Sequence, residues 1–268
     1  MNALVRLRSA AVLAALALAL AGCGATVVPL IGSESDRLSA ARHLMSRRDY
    51  FPAIELLKTY IERNAGSEHV DEGVYLLGDC YLHQKEWASA EVEFERLLRD
   101  YPESDSAAAA SYRLGEALYG QSRGEDFDQE FTNKALEQWQ RYSEGFPDHW
   151  LHAEAESQIA RLRARLARKL LNNGVLYLKL DEPAAARAYF ERVESDYRDT
   201  PLVGEAWIGI ARCDILGGAR EKGIARLRSL AETYAGEPLG TRAAEELKRA
   251  LKSKPRKPKH SHRATETN

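Results

Sequence analysis

Seven histidines and three cysteines are the side chains of this 268-residue chain best suited to metal or nucleophilic chemistry. His149 and His152 have a spacing that shares one helical face, but no third ligand or carboxylate stands at metal spacing beside them. Cys80 and Cys213 lack the paired spacing of a metal site and read as small buried hydrophobes. There is no serine-nucleophile motif and no glycine-rich phosphate loop. The acidic residues are spread as solvated faces are. The sequence therefore predicts no enzyme, no metal and no cofactor, and the chemistry left to it is recognition.

The elements that would carry recognition are set by one stretch, Asp71 to Ser104. It reads Leu77-Gly78-x2-Tyr81, then Ala90-x3-Phe94, then Pro102. That is the 34-residue tetratricopeptide pattern of a helix–turn–helix repeat, with Val74 in place of the leading Trp. Gly78 and Ala90 sit where two antiparallel helices cross and a large side chain would separate them. Tyr81 and Phe94 fill the space beside that crossing. Pro102 ends the second helix.

The pattern recurs. One register back stand Ala41, Leu44, Ala53 and Leu57. One register forward stand Gly115 and Leu118, with the second helix delayed to Ala135, Trp139 and Pro147. Further on come Gly174, Tyr177, Ala186 and Phe190, then Trp207, Ile210, Ala211, Gly223 and Leu227. Five repeats are expected, stacked because none buries its apolar face alone. The delay in repeat three is an insertion, Gln121 to Phe131, which composition reads equally as a tolerated loop or a contact loop. Leu151 to Leu180 reads as one long helix with an apolar stripe at Ile159, Leu162, Leu166, Leu170 and Leu171. Its bases, Arg161, Arg163, Arg165, Arg168 and Lys169, read most simply as solvated surface. Pro183 opens the second helix of repeat four, and Leu239 to Leu251 is an amphipathic cap. The fold class is all-α, a tetratricopeptide solenoid with a long joining helix and a C-terminal cap. Cys80 and Cys213 fall in repeats two and five, too far apart in a solenoid for a disulfide.

First helices of such repeats line a concave groove. In register they present Leu38, Arg42 and Met45, then Tyr75, Asp79 and His83, then Tyr112, Glu116 and Tyr119. The three tyrosines can stack on aromatic side chains of an extended peptide. The competing assignment places some of these tyrosines in the core.

The chain ends carry their own signals. Met1 to Gly22 has Arg6 and Arg8 followed by the apolar run Ala10 to Leu20, the form of a secretory leader and too short to span a bilayer comfortably. It closes on Leu20-Ala21-Gly22-Cys23, which resembles the lipobox of bacterial lipoproteins, in which the cysteine is lipidated. Gly24 rather than Asp follows, which in lipoproteins implies export to the outer membrane. Residues 23–33 read as a tether. The whole chain has a formal net charge of −2; loss of Arg6 and Arg8 takes it to about −4, against a general nucleic-acid binder. Residues 253–268 are rich in Lys and Pro without a large apolar residue, the composition of a disordered tail.

With the lipobox, five repeats and the joining helix in view, the chain resembles the BamD family, lipoproteins of the machinery that assembles outer-membrane β-barrels. The most specific stretch is Phe127-Asp128-Gln129-Glu130-Phe131-Thr132-Asn133-Lys134-Ala135-Leu136, similar to the family's Asp-x-Asp-Gln-x-x-Thr-x-Lys-Ala-Leu. The run Leu162 to Ala167 is similar to its joining helix. The family's usual Glu is Leu170 here, and the position of its partner-contacting Arg is Tyr189, flanked by Arg187 and Arg192. The resemblance implies a lipid-anchored protein of the outer membrane, facing the periplasm. Residues 34–149 would receive unfolded outer-membrane proteins. Residues 150–252 would dock the periplasmic domains of the barrel core subunit, with Arg187, Tyr189 and Arg192 at the contact and other assembly lipoproteins alongside. A repeat scaffold for cell-wall or division machinery is the alternative the same features allow.

Overall fold

Short turns with one left-handed residue fold this chain into helical hairpins. The computed structural model describes residues 33–253, which form eleven α-helices and no strand. The leader 1–22, Cys23, nearly all of the tether and the basic tail lie outside the described residues. The helices are α1 Glu34–Ser46, α2 Tyr50–Arg63, α3 Val70–His83, α4 Trp87–Asp100, α5 Ala107–Gly120, α6 Glu130–Gly145, α7 His152–Lys179, α8 Pro183–Asp196, α9 Val203–Leu216, α10 Arg220–Thr233 and α11 Pro238–Lys252. Ser33 caps α1 reciprocally: its hydroxyl accepts from the Asp36 N–H, and the Asp36 carboxylate accepts from the Ser33 N–H, each at 3.2 Å.

The turn inside repeats one, two, four and five has the same backbone. Arg48, Lys85, Asp181 and Gly218 adopt positive φ of 63°, 61°, 64° and 97°. In each, the next residue's N–H returns 2.9 Å to a carbonyl five residues earlier, as from Glu86 to Tyr81 and Ala219 to Asp214. A non-glycine residue adopts this conformation at a cost that the packing of the two helices offsets. In repeat three the insertion replaces this turn, and residues 121–129 form the connection.

The chain divides into two compact units between Gly120 and Gln121. That division falls one helix earlier than the 149/150 boundary expected from sequence, because α6 packs along α7. In the first unit the core runs through Ala53, Leu57, Tyr60, Val74, Leu77, Cys80, Ala90, Phe94 and Leu97. Gly78 is required there, since a Cβ would stand 2.7 Å from the Phe94 ring. The second unit repeats the arrangement around Phe190, with Ala167, Leu171, Ala186, Val193, Ala206 and Ile210. Gly174 holds the matching place, its Cβ position 2.6 Å from that ring. Ile208, Ala211 and Leu227 pack on Ala243 and Ala250 of α11, which closes the end as a cap should.

The long helix α7 is 28 residues, as its uninterrupted pattern predicts. Its bases are not simply solvated. Arg163 donates from Nε to Asp199 at 2.7 Å and from Nη2 to the Asp196 carbonyl at 2.6 Å. Arg168 lies 3.5 Å from Glu205. Arg165 donates to the carbonyl of Arg123, and Lys169 to that of Phe127. The expectation of a free basic face fails for these four because each reaches an acceptor on a neighbouring element. Among the described residues no helix is long and apolar enough to cross a membrane.

Candidate functional site

In the first unit, α1, α3 and α5 supply the wall read from sequence as a groove. Residues 75, 79 and 83 recur every four along α3 and share one face. Tyr75 is half-buried against Phe94, ring centroids 6.0 Å apart. Asp79 pairs with His83 at 3.6 Å and with Arg113 of α5 at 3.7 Å. Arg113 donates to Glu116 at 2.6 Å, and its charge acts on the Tyr75 phenol. The His83 ring stacks on Tyr50, centroids 5.1 Å apart and planes 14° from parallel. Arg42 pairs with Glu72 across α1 and α3. The structure thus brings Tyr75, Asp79, His83 and Glu116 together through Arg113, a residue the sequence reading did not single out.

Electrostatics hold this strip. Burial pushes the Tyr75 phenol above its usual range, and the charge of Asp79 adds to that. Burial opposes the charge of Arg113, but the hydrogen bond to Glu116 and the nearby carboxylates outweigh it, so the guanidinium is held protonated more firmly than usual. The strip is therefore a row of paired polar and charged groups with one phenol and one imidazole, able to orient a peptide laid across it.

Two expected groove residues are placed otherwise. Leu38 and Tyr112 are each 3 % exposed and belong to the core, so they offer no surface to a ligand. Register explains the misplacement of Tyr112. It stands 37 residues after Tyr75, as Gly115 does after Gly78, but Arg113, one residue on, is the one that meets α3. Met45 and Tyr119 are half-buried.

In the second unit, Arg187 turns inward to Asp214, a carboxylate 3 % exposed, and also lies 3.3 Å from Glu191. Asp214 receives Arg226 as well, at 3.1 Å. Arg187 is thus a core tie between α8 and α9. Tyr189 stacks on Tyr177 at 5.3 Å and 17°. Arg192 is exposed and pairs with Asp196 at 3.3 Å. Of the three expected partner contacts, Arg192 and the Tyr189 ring face outward enough to meet another protein.

The insertion is an ordered loop built around one buried amide. Gln129 is 6 % exposed. Its amide donates to the carbonyls of Gly124 at 2.9 Å and Phe127 at 3.0 Å, and its oxygen accepts from Thr132 at 3.0 Å. Phe127, half exposed, carries the Arg123 guanidinium 4.1 Å above its ring. Gln129 and Thr132 lie within the stretch that the sequence marked as most specific. Among the described residues no group of three His, Cys, Asp or Glu is placed to hold a metal ion. Cys80 and Cys213 are both buried and unbridged.

Solved structures of helical-repeat proteins are similar over most of the chain. A thermophilic TPR protein of Thermus thermophilus is 18% identical, covering 80% of this chain and 99% of that chain, with a TM-score of 0.35. A Podosopora anserina putative kinesin light chain with TPR-like repeats is 13% identical over 81% of this chain and 94% of that one, TM-score 0.39. The yeast Sti1 TPR2AB domain, in complex with pHSP90, is 14% identical over 81% and 96%, TM-score 0.38. No curated protein matches the chain. Residues 32–211 match the model of the YfiO family, described as outer membrane lipoprotein. That match spans α1 to most of α9 and includes the Gln129 loop, the Arg113 strip and the joining helix, so the chain belongs to the YfiO family of outer membrane lipoproteins.

Proposed function

We propose that this chain is a non-enzymatic lipoprotein of the outer-membrane β-barrel assembly machinery, anchored through Cys23 and facing the periplasm. The observation that carries the reading is the family match over residues 32–211. In this account the wall formed by Tyr75, Asp79, His83, Arg113 and Glu116, flanked by Arg42, takes extended segments of unfolded outer-membrane proteins. Its fixed charges suit a polypeptide that lies across them, because paired side chains set register without moving. The helices of the second unit dock the periplasmic domains of the barrel core subunit, with Arg192 and Tyr189 at the contact and other assembly lipoproteins nearby. No cofactor and no reaction enter.

Depletion of the protein in its own cell tests this. Folded β-barrels should fall in the outer membrane and their unfolded precursors should accumulate in the periplasm. Normal barrel levels with misplaced septa or thinned wall would instead favour the scaffold for cell-wall or division machinery. Replacing Cys23 by Ser should move the protein from the membrane to the soluble fraction.

A further inference from the structure

Within the second unit, α7, α9 and α11, with Phe190 of α8, line a cleft of about 250 Å³. The lining positions on α9 are 205, 208, 209 and 212, and on α11 they are 242, 245, 246 and 249. Both sets follow the spacing of one helix face, so two stripes look across the same space. The floor is apolar: Leu171, Val175, Phe190 and Ile208, with Gly209 kept small because a Cβ there would lie 2.8 Å from Phe190.

The rim is charged, and its charges are nearly all matched. Glu205 holds Arg242 at 3.3 Å and Arg168 at 3.5 Å. Glu246 holds Arg249 at 2.8 Å, with Glu245 at 4.0 Å from the same guanidinium. Arg212 lines the cleft and has no ion-pair partner among the described residues. A guanidinium there, beside an apolar floor, lacks one carboxylate. Around the cleft the four guanidiniums of Arg168, Arg212, Arg242 and Arg249 exceed the three carboxylates of Glu205, Glu245 and Glu246 by one, so a single negative charge balances the site. Beyond Val175, itself 36% exposed in the cleft, Leu176 is 51% exposed and Leu180, the residue that caps α7, is 60% exposed. A small anion would leave that strip bare, whereas an extended chain would cover it.

We propose that this cleft binds an extended segment of a partner protein in which an Asp or Glu side chain is followed by a branched aliphatic residue. The carboxylate pairs with Arg212, and the aliphatic side chain rests on Leu171, Val175 and Ile208. The proposal stands apart from the barrel-assembly reading and does not depend on it.

The test is fluorescence anisotropy of the purified protein with fluorescein-Gly-Val-Asp-Leu-Gly-amide and its Asn counterpart. Saturable binding is expected for the Asp peptide, weakened about tenfold in the Asn peptide by loss of the charge-assisted pair. Arg212→Ala should weaken the Asp peptide by a similar factor and leave the Asn peptide unchanged, while Arg212→Lys keeps part of the preference. Arg228→Ala, exposed on α10 and outside the cleft, should change neither. Thermal melts of the variants show whether each is folded; the Asp/Asn ratio measured on unaltered protein needs no variant at all. Equal affinity for the two peptides, no saturable binding of either, or an unchanged Asp preference in folded Arg212→Ala would overturn the proposal.

Discussion

The hydroxyl of Thr132 donates a 3.0 Å hydrogen bond to the side-chain oxygen of Gln129, and both residues are buried. That bond fixes the amide so that its nitrogen points into the 121–129 loop and gathers the carbonyls of Gly124 and Phe127. Thr132→Val keeps the shape and removes the donor. It leaves a buried acceptor unpaired, at a cost of about 1–3 kcal/mol. Urea unfolding should show that loss, and amide exchange should quicken between 124 and 129. Unchanged exchange in the loop would mean that Gln129 does not organise it.

The glycines at 78 and 174 occupy matching places in the two units. Each faces an aromatic ring at a distance that leaves no room for a Cβ, 2.7 Å for Phe94 and 2.6 Å for Phe190. Gly174→Val should destabilise by about 1–3 kcal/mol through overpacking and displacement of Phe190. Shortening the ring with Phe190→Leu in the same chain should restore part of it. A double-mutant cycle that shows no coupling would contradict the contact.

Arg187 and Asp214 form a tie that is buried on one side only, the carboxylate 3% and the guanidinium 27% exposed. Asp214→Ala leaves Arg187 without its main partner and should cost about 2–4 kcal/mol, less than a fully buried pair because water still reaches the guanidinium. Arg226, 3.1 Å from the same carboxylate, should keep Arg187→Ala milder. If Arg187 instead served a partner protein, its replacement would weaken binding and leave the melting temperature alone.

Burial pushes the Cys80 thiol up to about 12 and the Cys213 thiol to about 11, from a usual value of 9.0. The folded state thus holds these protons where the unfolded state has lost them. Stability from this source is complete below pH 9.0 and declines as pH rises toward about 12 for Cys80 and about 11 for Cys213. In a Cys23→Ser background, a thiol reagent at pH 8 should label neither cysteine in the folded protein and both in urea. Rapid labelling of the folded protein would refute their burial.

The sequence made the scaffold legible because the same physical requirement returns in each repeat. Gly78, Ala90, Gly174 and Ala186 are small where helices cross, and the eleven helices begin and end within a few residues of the pattern. The wall was legible in part. Asp79, His83 and Glu116 fall together at the register the repeat predicts. Tyr112 does not, because a one-residue rotation of α5 decides between core and groove, and periodicity cannot resolve a single residue. Arg113 was hidden for the same reason. The bases of α7 were misread because their partners, Asp199, Glu205 and the carbonyls of Arg123 and Phe127, are 36 to 42 residues away in the chain. Nothing local marks such pairs.

The central claim is that this lipoprotein works beside a barrel core subunit. The most direct measurement is a gentle detergent pull-down of the tagged protein from membranes, with mass spectrometry of what accompanies it. The account predicts one outer-membrane barrel protein with repeated periplasmic domains, recovered in near-stoichiometric amount. Recovery of only wall-associated or division proteins, with no barrel protein at comparable yield, would contradict it.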